Sequence, residues 1–281
     1  MDLKVTKYEI DRGVATVYLH RPGHGNSWSQ RMNAEYRWIM ARLDDDTDVR
    51  VIVVRGSGKQ FCVGADFGAL DHYKDGDRDY VDSLRDEAMA QPGHGVRAEF
   101  DHDMAWHWGL KKPVIAAING ACAGIAVALA GFCDLRYGIT GAKYTTAAAR
   151  LGLPAEYGLA WLLPRLIGVT HAADILLTGR IFLTEEAVGM GFLNAAYSHE
   201  SFEAEVAAKA RYMADQVSPL SATTTKRQLY ADLMHHDVGR SVEESKRLIG
   251  EHMRSADYRE GVSALAAGRA PKFAPPGSDD K

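Results

Sequence analysis

Cysteine is scarce: three in 281 residues, Cys62, Cys122 and Cys133, an odd number set in apolar or glycine-rich surroundings. Free, buried thiols in a reducing compartment are therefore expected, not disulfides or metal ligation. No uninterrupted apolar run approaches the roughly 20 residues of a membrane span. Met1 is followed by the charged Asp2 and Lys4 where a secretory signal would carry an apolar core. A cytoplasmic chain is expected. A net charge of −4 gives little footing for nucleic acid as the main partner. The G-S-G-K at residues 56–59 lacks the spacing of a Walker phosphate loop. His94, His102 and His107 lack metal-ligand spacing and read as surface histidines, so no metal site is expected.

What remains is an ordinary globular composition, 46% hydrophobic and 25% charged, of a length that suits one large domain or a domain with an appended module. The most informative stretch runs from Lys112 to Arg165. An apolar strand, Val114 to Ile118, enters a turn at Asn119–Gly120, and small residues then lead into a buried helix. A strand, turn and helix in that order aim free backbone N–H groups at whatever sits over the turn. The stretch has very few acids, and Glu156 is the carboxylate best placed for chemistry.

Around this centre, Val14 to Leu19 reads as a strand after a turn at Asp11–Arg12–Gly13, and Gln30 to Leu43 as a helix. The acidic residues 44–48 read as a solvated helix end. Val49 to Val54 is a second strand, apolar enough to be covered on both faces as in a parallel α/β sheet. The glycine-rich run that follows reads, taken alone, as a plain connection. Residues 72–107 turn polar and are expected to form a variable insertion or lid. Thr184 is expected to cap a helix with Glu185 and Glu186 in its first turn. From residue 201 the pattern becomes helical throughout, dividing a core at 1–200 from a helical module at 201–281.

Several motifs together resemble the crotonase, or enoyl-CoA hydratase/isomerase, superfamily over nearly the whole chain. They include R-P-G-H-G-N-S-W, F-C-V-G-A-D-F, K-P-V-I-A-A-I-N-G-A-C-A-G, C-D-L-R-Y, L-L-T-G-R and D-Y-R-E-G-V-S-A-L. The resemblance implies an α/β fold, a spiral of β-β-α units with a C-terminal helical trimerisation module. It also implies a homotrimer or dimer of trimers, and an acyl-CoA thioester substrate whose coenzyme A is part of the substrate, with no separate cofactor.

Stabilising the enolate of a thioester calls for two convergent backbone N–H groups, one at a helix N-terminus. By motif position they come from Ala65 and Ile125, with Gly64 and Gly124 permitting close approach. Ile125 stands where the family usually has glycine, and its side chain is expected to narrow the pocket or alter the turn. Asp66 is expected to hold its loop, and Asp134 to pair with nearby backbone or Arg136. For the CoA end, the resemblance suggests Arg21, Lys272 and Phe273, since cations suit phosphates and an aromatic suits adenine.

The acids are where the chain departs from the family. Its hydratases carry two glutamates, and both matching positions, Ala128 and Ala148, are alanine. Glu156 falls where some isomerases of the family place their catalytic acid, in a setting where Leu153, Tyr157 and Trp161 would raise its pKa. The expected activity is a double-bond shift in an enoyl-CoA. Two alternatives stay open: hydration by Glu156 with an unidentified partner from the insertion, and acyl-CoA binding without turnover.

Overall fold

The structure, a computed structural model, describes residues 1–66, 90–93 and 98–275. Strand β1 (Thr6–Asp11) pairs antiparallel with β2 (Val14–Leu19) through the tight turn at Arg12–Gly13, both at positive φ (44° and 83°). The half-polar sequence of β1 had given no strand signal. Helix α1 (Gln30–Asp45) follows, its N-cap Ser29 accepting from the Met32 N–H at 3.2 Å. Strands β3 (Val51–Gly56) and β4 (Val114–Ile118) extend the sheet in parallel, and four of the six β3 residues are apolar and buried.

Next come β5 (Cys122–Ala123), α2 (Ile125–Phe132), β6 (Leu135–Ile139), β7 (Lys143–Thr145), α3 (Leu159–Thr178), β8 (Phe182–Leu183), α4 (Thr184–Gly189) and β9 (Ala195–Tyr197). The main sheet has the order β1-β2-β3-β4-β6-β9, and a small one the order β5-β7-β8. Helix α2 is apolar on every face and buried throughout, as a helix inside a core must be. Helix α3 is apolar and 20 residues long, but it is broken at Gly168 (φ 75°, ψ 159°) and carries Arg165 and Asp174. Neither half reaches the roughly 20 residues a span requires.

Four helices complete the described chain: α5 (Phe202–Gln216), α6 (Pro219–Asp232), α7 (Val238–His252) and α8 (Ala256–Ala266). Helix α5 lies over the sheet face that carries Thr16, Val53 and Ala117. Helix α6 docks at the N-terminal ends of β4 and β6. There Lys226 Nζ reaches Asp134 Oδ2 at 2.8 Å and Tyr230 Oη donates to Asp134 Oδ1 at 2.7 Å. Asp134 also accepts from the Val114 N–H at 2.6 Å. Of the two partners expected for Asp134, the backbone is the one it holds, and Arg136 is not. Asp134 also holds Lys226, while Arg136 donates to the carbonyls of Phe192, Gly131 and Cys133.

Three other expectations change. His107 is no surface histidine: it has no exposure, stacks on Trp106 at 3.7 Å and bonds Tyr36 Oη at 2.8 Å. Burial pushes its pKa down to about 3, so it is neutral. His102 is exposed, as expected. Asp44 is buried, not solvated, because its carboxylate accepts the N–H groups of Lys111 and Lys112 at 2.7 and 3.0 Å. Thr184 is the first residue of α4 and not its cap; its hydroxyl donates to the Ile139 carbonyl at 2.6 Å. Of the expected insertion, residues 72–89 and 94–97, His94 among them, lie outside the described residues. Residues 98–107 give Phe100, Met104 and Trp106 to the core. The three cysteines are free and buried.

Candidate active site

The site begins where β3 and β4 end. Asn119 ties the two strand exits together: its Oδ1 accepts from the Gly56 N–H at 2.9 Å, and its Nδ2 donates to the Gly56 and Gly58 carbonyls at 3.0 and 2.9 Å. Both segments then run side by side, with Cys62 opposite Cys122: the Cys62 N–H donates to the Ala121 carbonyl and the Ala123 N–H to the Cys62 carbonyl, each at 3.0 Å. Three residues past each cysteine stands one of the predicted donors, Ala65 and Ile125.

Glycine is required at both turns. Gly64 has φ +103° and Gly124 φ +55°. A methyl on Gly64 would lie 3.3 Å from the Ala123 carbonyl oxygen, and one on Gly124 would lie 3.6 Å from Gly64 Cα. The two turns therefore touch glycine to glycine, which brings the next peptide of each chain together. The Gly64 carbonyl accepts from the Trp28 N–H at 2.7 Å, so the Ala65 N–H, on the other side of that trans peptide, points away from Trp28. Ile125 is the first residue of α2, where N–H groups have no intrahelical acceptor and the helix dipole is positive. Among the described residues neither N–H donates to a protein acceptor. Two free donors on apposed turns can hold one oxygen. Ile125 is buried at 6% exposure, so its side chain packs into the core.

Asp66 holds its loop through Arg21, whose Nη1 lies 2.7 Å from Asp66 Oδ2. Lys272 and Phe273 are not brought to these turns. The Phe273 carbonyl accepts from Arg50 at 2.6 Å, at the N-terminal end of β3, whereas Ala65 follows its C-terminal end. The Lys272 N–H donates to Glu260 at 2.6 Å.

Ala128 and Ala148, the positions matched by motif to the hydratase glutamates, are buried: Ala128 has no exposure and Ala148 5%. Glu156 is half-buried just before α3, with Tyr157 (φ 50°) and Gly158 (φ 75°) forming the tight turn behind it. A methyl on Gly158 would lie 3.7 Å from the Phe132 ring, so the turn rests on the far end of the same helix that begins at Ile125. Burial alone raises the Glu156 pKa. Of its expected lining, Leu153 and Tyr157 are 42% and 38% exposed, while Trp161 packs partly against the core beside Trp108.

The sequence profile described as "Enoyl-CoA hydratase/isomerase" matches residues 9–276. The chain belongs to the enoyl-CoA hydratase/isomerase family. It is 31% identical to the 1,2-epoxyphenylacetyl-CoA isomerase of Escherichia coli, covering 94% of this chain and 96% of that protein. It is 32% identical to a probable enoyl-CoA hydratase of Rhodobacter capsulatus, covering 97% and 99%. Among solved structures, a probable enoyl-CoA hydratase/isomerase from Mycobacterium abscessus superposes with a TM-score of 0.83 at 31% identity, covering 96% and 98%. The fold is thus the crotonase spiral with C-terminal helices, and the protein is an acyl-CoA enzyme of this family without redox chemistry.

Sequence reasoning missed the partner of Arg21. No local signal joins residues 21 and 66, because the contact is made only when two loops meet.

Proposed function

We propose that this family member shifts a double bond in an enoyl-CoA thioester, with Glu156 as acid/base. The observation that carries the reading is the contrast between buried alanines at 128 and 148 and a half-buried glutamate whose pKa is raised by desolvation. Starting from a 3-enoyl-CoA, the Glu156 carboxylate takes a proton from C2. The electron pair spreads over C2 to C4 and onto the thioester oxygen, which the Ala65 and Ile125 N–H groups hold. The Glu156 carboxylic acid then returns the proton at C4, giving the 2-enoyl-CoA. One carboxylate serves both halves, because the proton it takes is the proton it gives back. Hydration would also need a group to activate water, and residues 128 and 148 supply none.

Exposed apolar side chains on α7 and α8, Val238, Ile249, Val262 and Leu265, with Met253 at the end of α7, support assembly as a homotrimer or dimer of trimers. In such an assembly Lys272 and Phe273, distant from the site of their own chain, would serve a nucleotide bound to a neighbouring copy. The test of function supplies 3-enoyl-CoA and 2-enoyl-CoA separately and follows migration and water addition. Migration with little hydration is expected. Fast hydration of crotonyl-CoA would overturn the reading, and tight acyl-CoA binding with no product would assign a carrier instead.

A further inference from the structure

We propose that Arg21 and Asp66 form a clamp that aims the Ala65 N–H, so that Arg21 is a positioning residue of the oxyanion hole and not a phosphate contact. The inference rests on the reading of Ala65 as an oxyanion donor. Arg21 Nη1 alone faces three acceptors: Asp66 Oδ2 at 2.7 Å, the Ser27 carbonyl at 2.9 Å and Ser27 Oγ at 3.0 Å. Ser27 Oγ also bonds Asp66 Oδ2 at 3.0 Å, closing a three-residue ring. The pair is largely withdrawn from water, with side-chain exposures of 19% and 26%.

The base of the clamp is rigid. Arg21 N–H donates to Asn26 Oδ1 at 2.9 Å, and the fully buried Asn26 donates to the Ser57 and Gln60 carbonyls at 2.9 and 2.8 Å. That fixes the Arg21 segment to the turn leaving β3, one loop away from Gly64.

Ala65 needs such a restraint. On one side lies Gly64, a residue with no side chain to limit its rotation. Among the described residues the backbone here is held by two bonds to Trp28, from the Trp28 N–H to the Gly64 carbonyl and from the Asp66 N–H to the Trp28 carbonyl, at 2.7 and 3.0 Å. Both act along one edge and leave the peptide free to tilt about it. The Asp66 carboxylate, tied to Arg21 and Ser27, adds a restraint off that edge. A hydrogen bond weakens steeply as its angle falls, so a tilt costs transition-state stabilisation without unfolding the loop.

The test uses the full chain and its Arg21→Met, Arg21→Lys and Asp66→Asn variants. It measures kcat, KM and the isotope-edited infrared stretch of the thioester carbonyl of a bound saturated acyl-CoA. The wild type is expected to lower that frequency on binding. Arg21→Met should lose most of the shift and about 10- to 100-fold in kcat, the scale of a misplaced catalytic group, with KM nearly unchanged. Arg21→Lys should recover part of both. Should Arg21→Met fail to fold, the near-isosteric Asp66→Asn carries the same comparison. A wild-type shift that survives in the variants, with only KM raised, overturns the clamp and returns Arg21 to the phosphates. Absence of any shift in the wild type overturns the oxyanion reading itself, and the clamp with it.

Discussion

Replacing Ile125 by proline removes one N–H and little else of the backbone. Position 125 is the first of α2, where proline is tolerated because that N–H has no helical acceptor and the proline ring suits a helical φ. Proline also restricts the residue before it to extended conformations. Gly124, at φ 55° and ψ −125°, occupies the mirror image of that region, which a residue without Cβ accepts. Losing one oxyanion donor costs about 10²- to 10³-fold in kcat, or about 2.7–4 kcal/mol of transition-state stabilisation. The control is Ile125→Ala, which keeps the N–H but empties a site of 6% exposure. It should cost about 2–5 kcal/mol of stability, as buried Ile→Ala changes do, while kcat stays close to that of the wild type. Steady-state kinetics and urea unfolding on both variants separate the two effects. A proline variant that turns over as fast as the alanine variant would refute the assignment of Ile125 as a donor.

Two further predictions concern the frame that carries the site. Lys226→Met leaves the Asp134 carboxylate without its cation at a pair only 5% and 14% exposed. Unfolding stability should fall by about 3–5 kcal/mol, measured by urea titration, with kcat retained because the pair lies at the opposite end of β4 from the hole. His107 stays neutral in the folded state down to about pH 3, whereas the unfolded chain protonates it below about 6.5. The unfolded state therefore binds the extra proton, so stability falls as pH drops through that window. The loss is about 2 kcal/mol between pH 7 and pH 5. A His107→Phe variant should lack this part of the pH dependence, whatever its absolute stability; an unchanged slope would place the titration elsewhere.

The parts of the molecule that were legible in the sequence are those with local causes. Val114–Ile118 is a run of five apolar residues ending at Asn119–Gly120, and it is a strand with those bounds. The small, apolar Ile125–Phe132 has no polar face, so it had to be interior. Ala65 and Ile125 were named as donors from motif position; what the structure adds is that the glycines before them, Gly64 and Gly124, are in contact. What stayed hidden depends on partners far along the chain. His107 lies in a polar stretch and is buried by Tyr36, 71 residues away. Asp44 looked solvated because its partners are backbone N–H groups of residues 111 and 112, which carry no sequence signal. Lys226 meets Asp134 across 92 residues, and Arg21 meets Asp66 across 45. A charge on a loop announces that it needs a partner, but only the assembled sheet says which.

In the proposed reaction one carboxylate carries the proton from carbon to carbon. The most direct test is turnover of 3-enoyl-CoA by Glu156→Gln, a change that keeps the size of the side chain and removes its basicity. A loss of at least about a hundredfold in kcat is expected, the lower range for a general base, with acyl-CoA binding intact. Turnover at the wild-type rate would contradict that role.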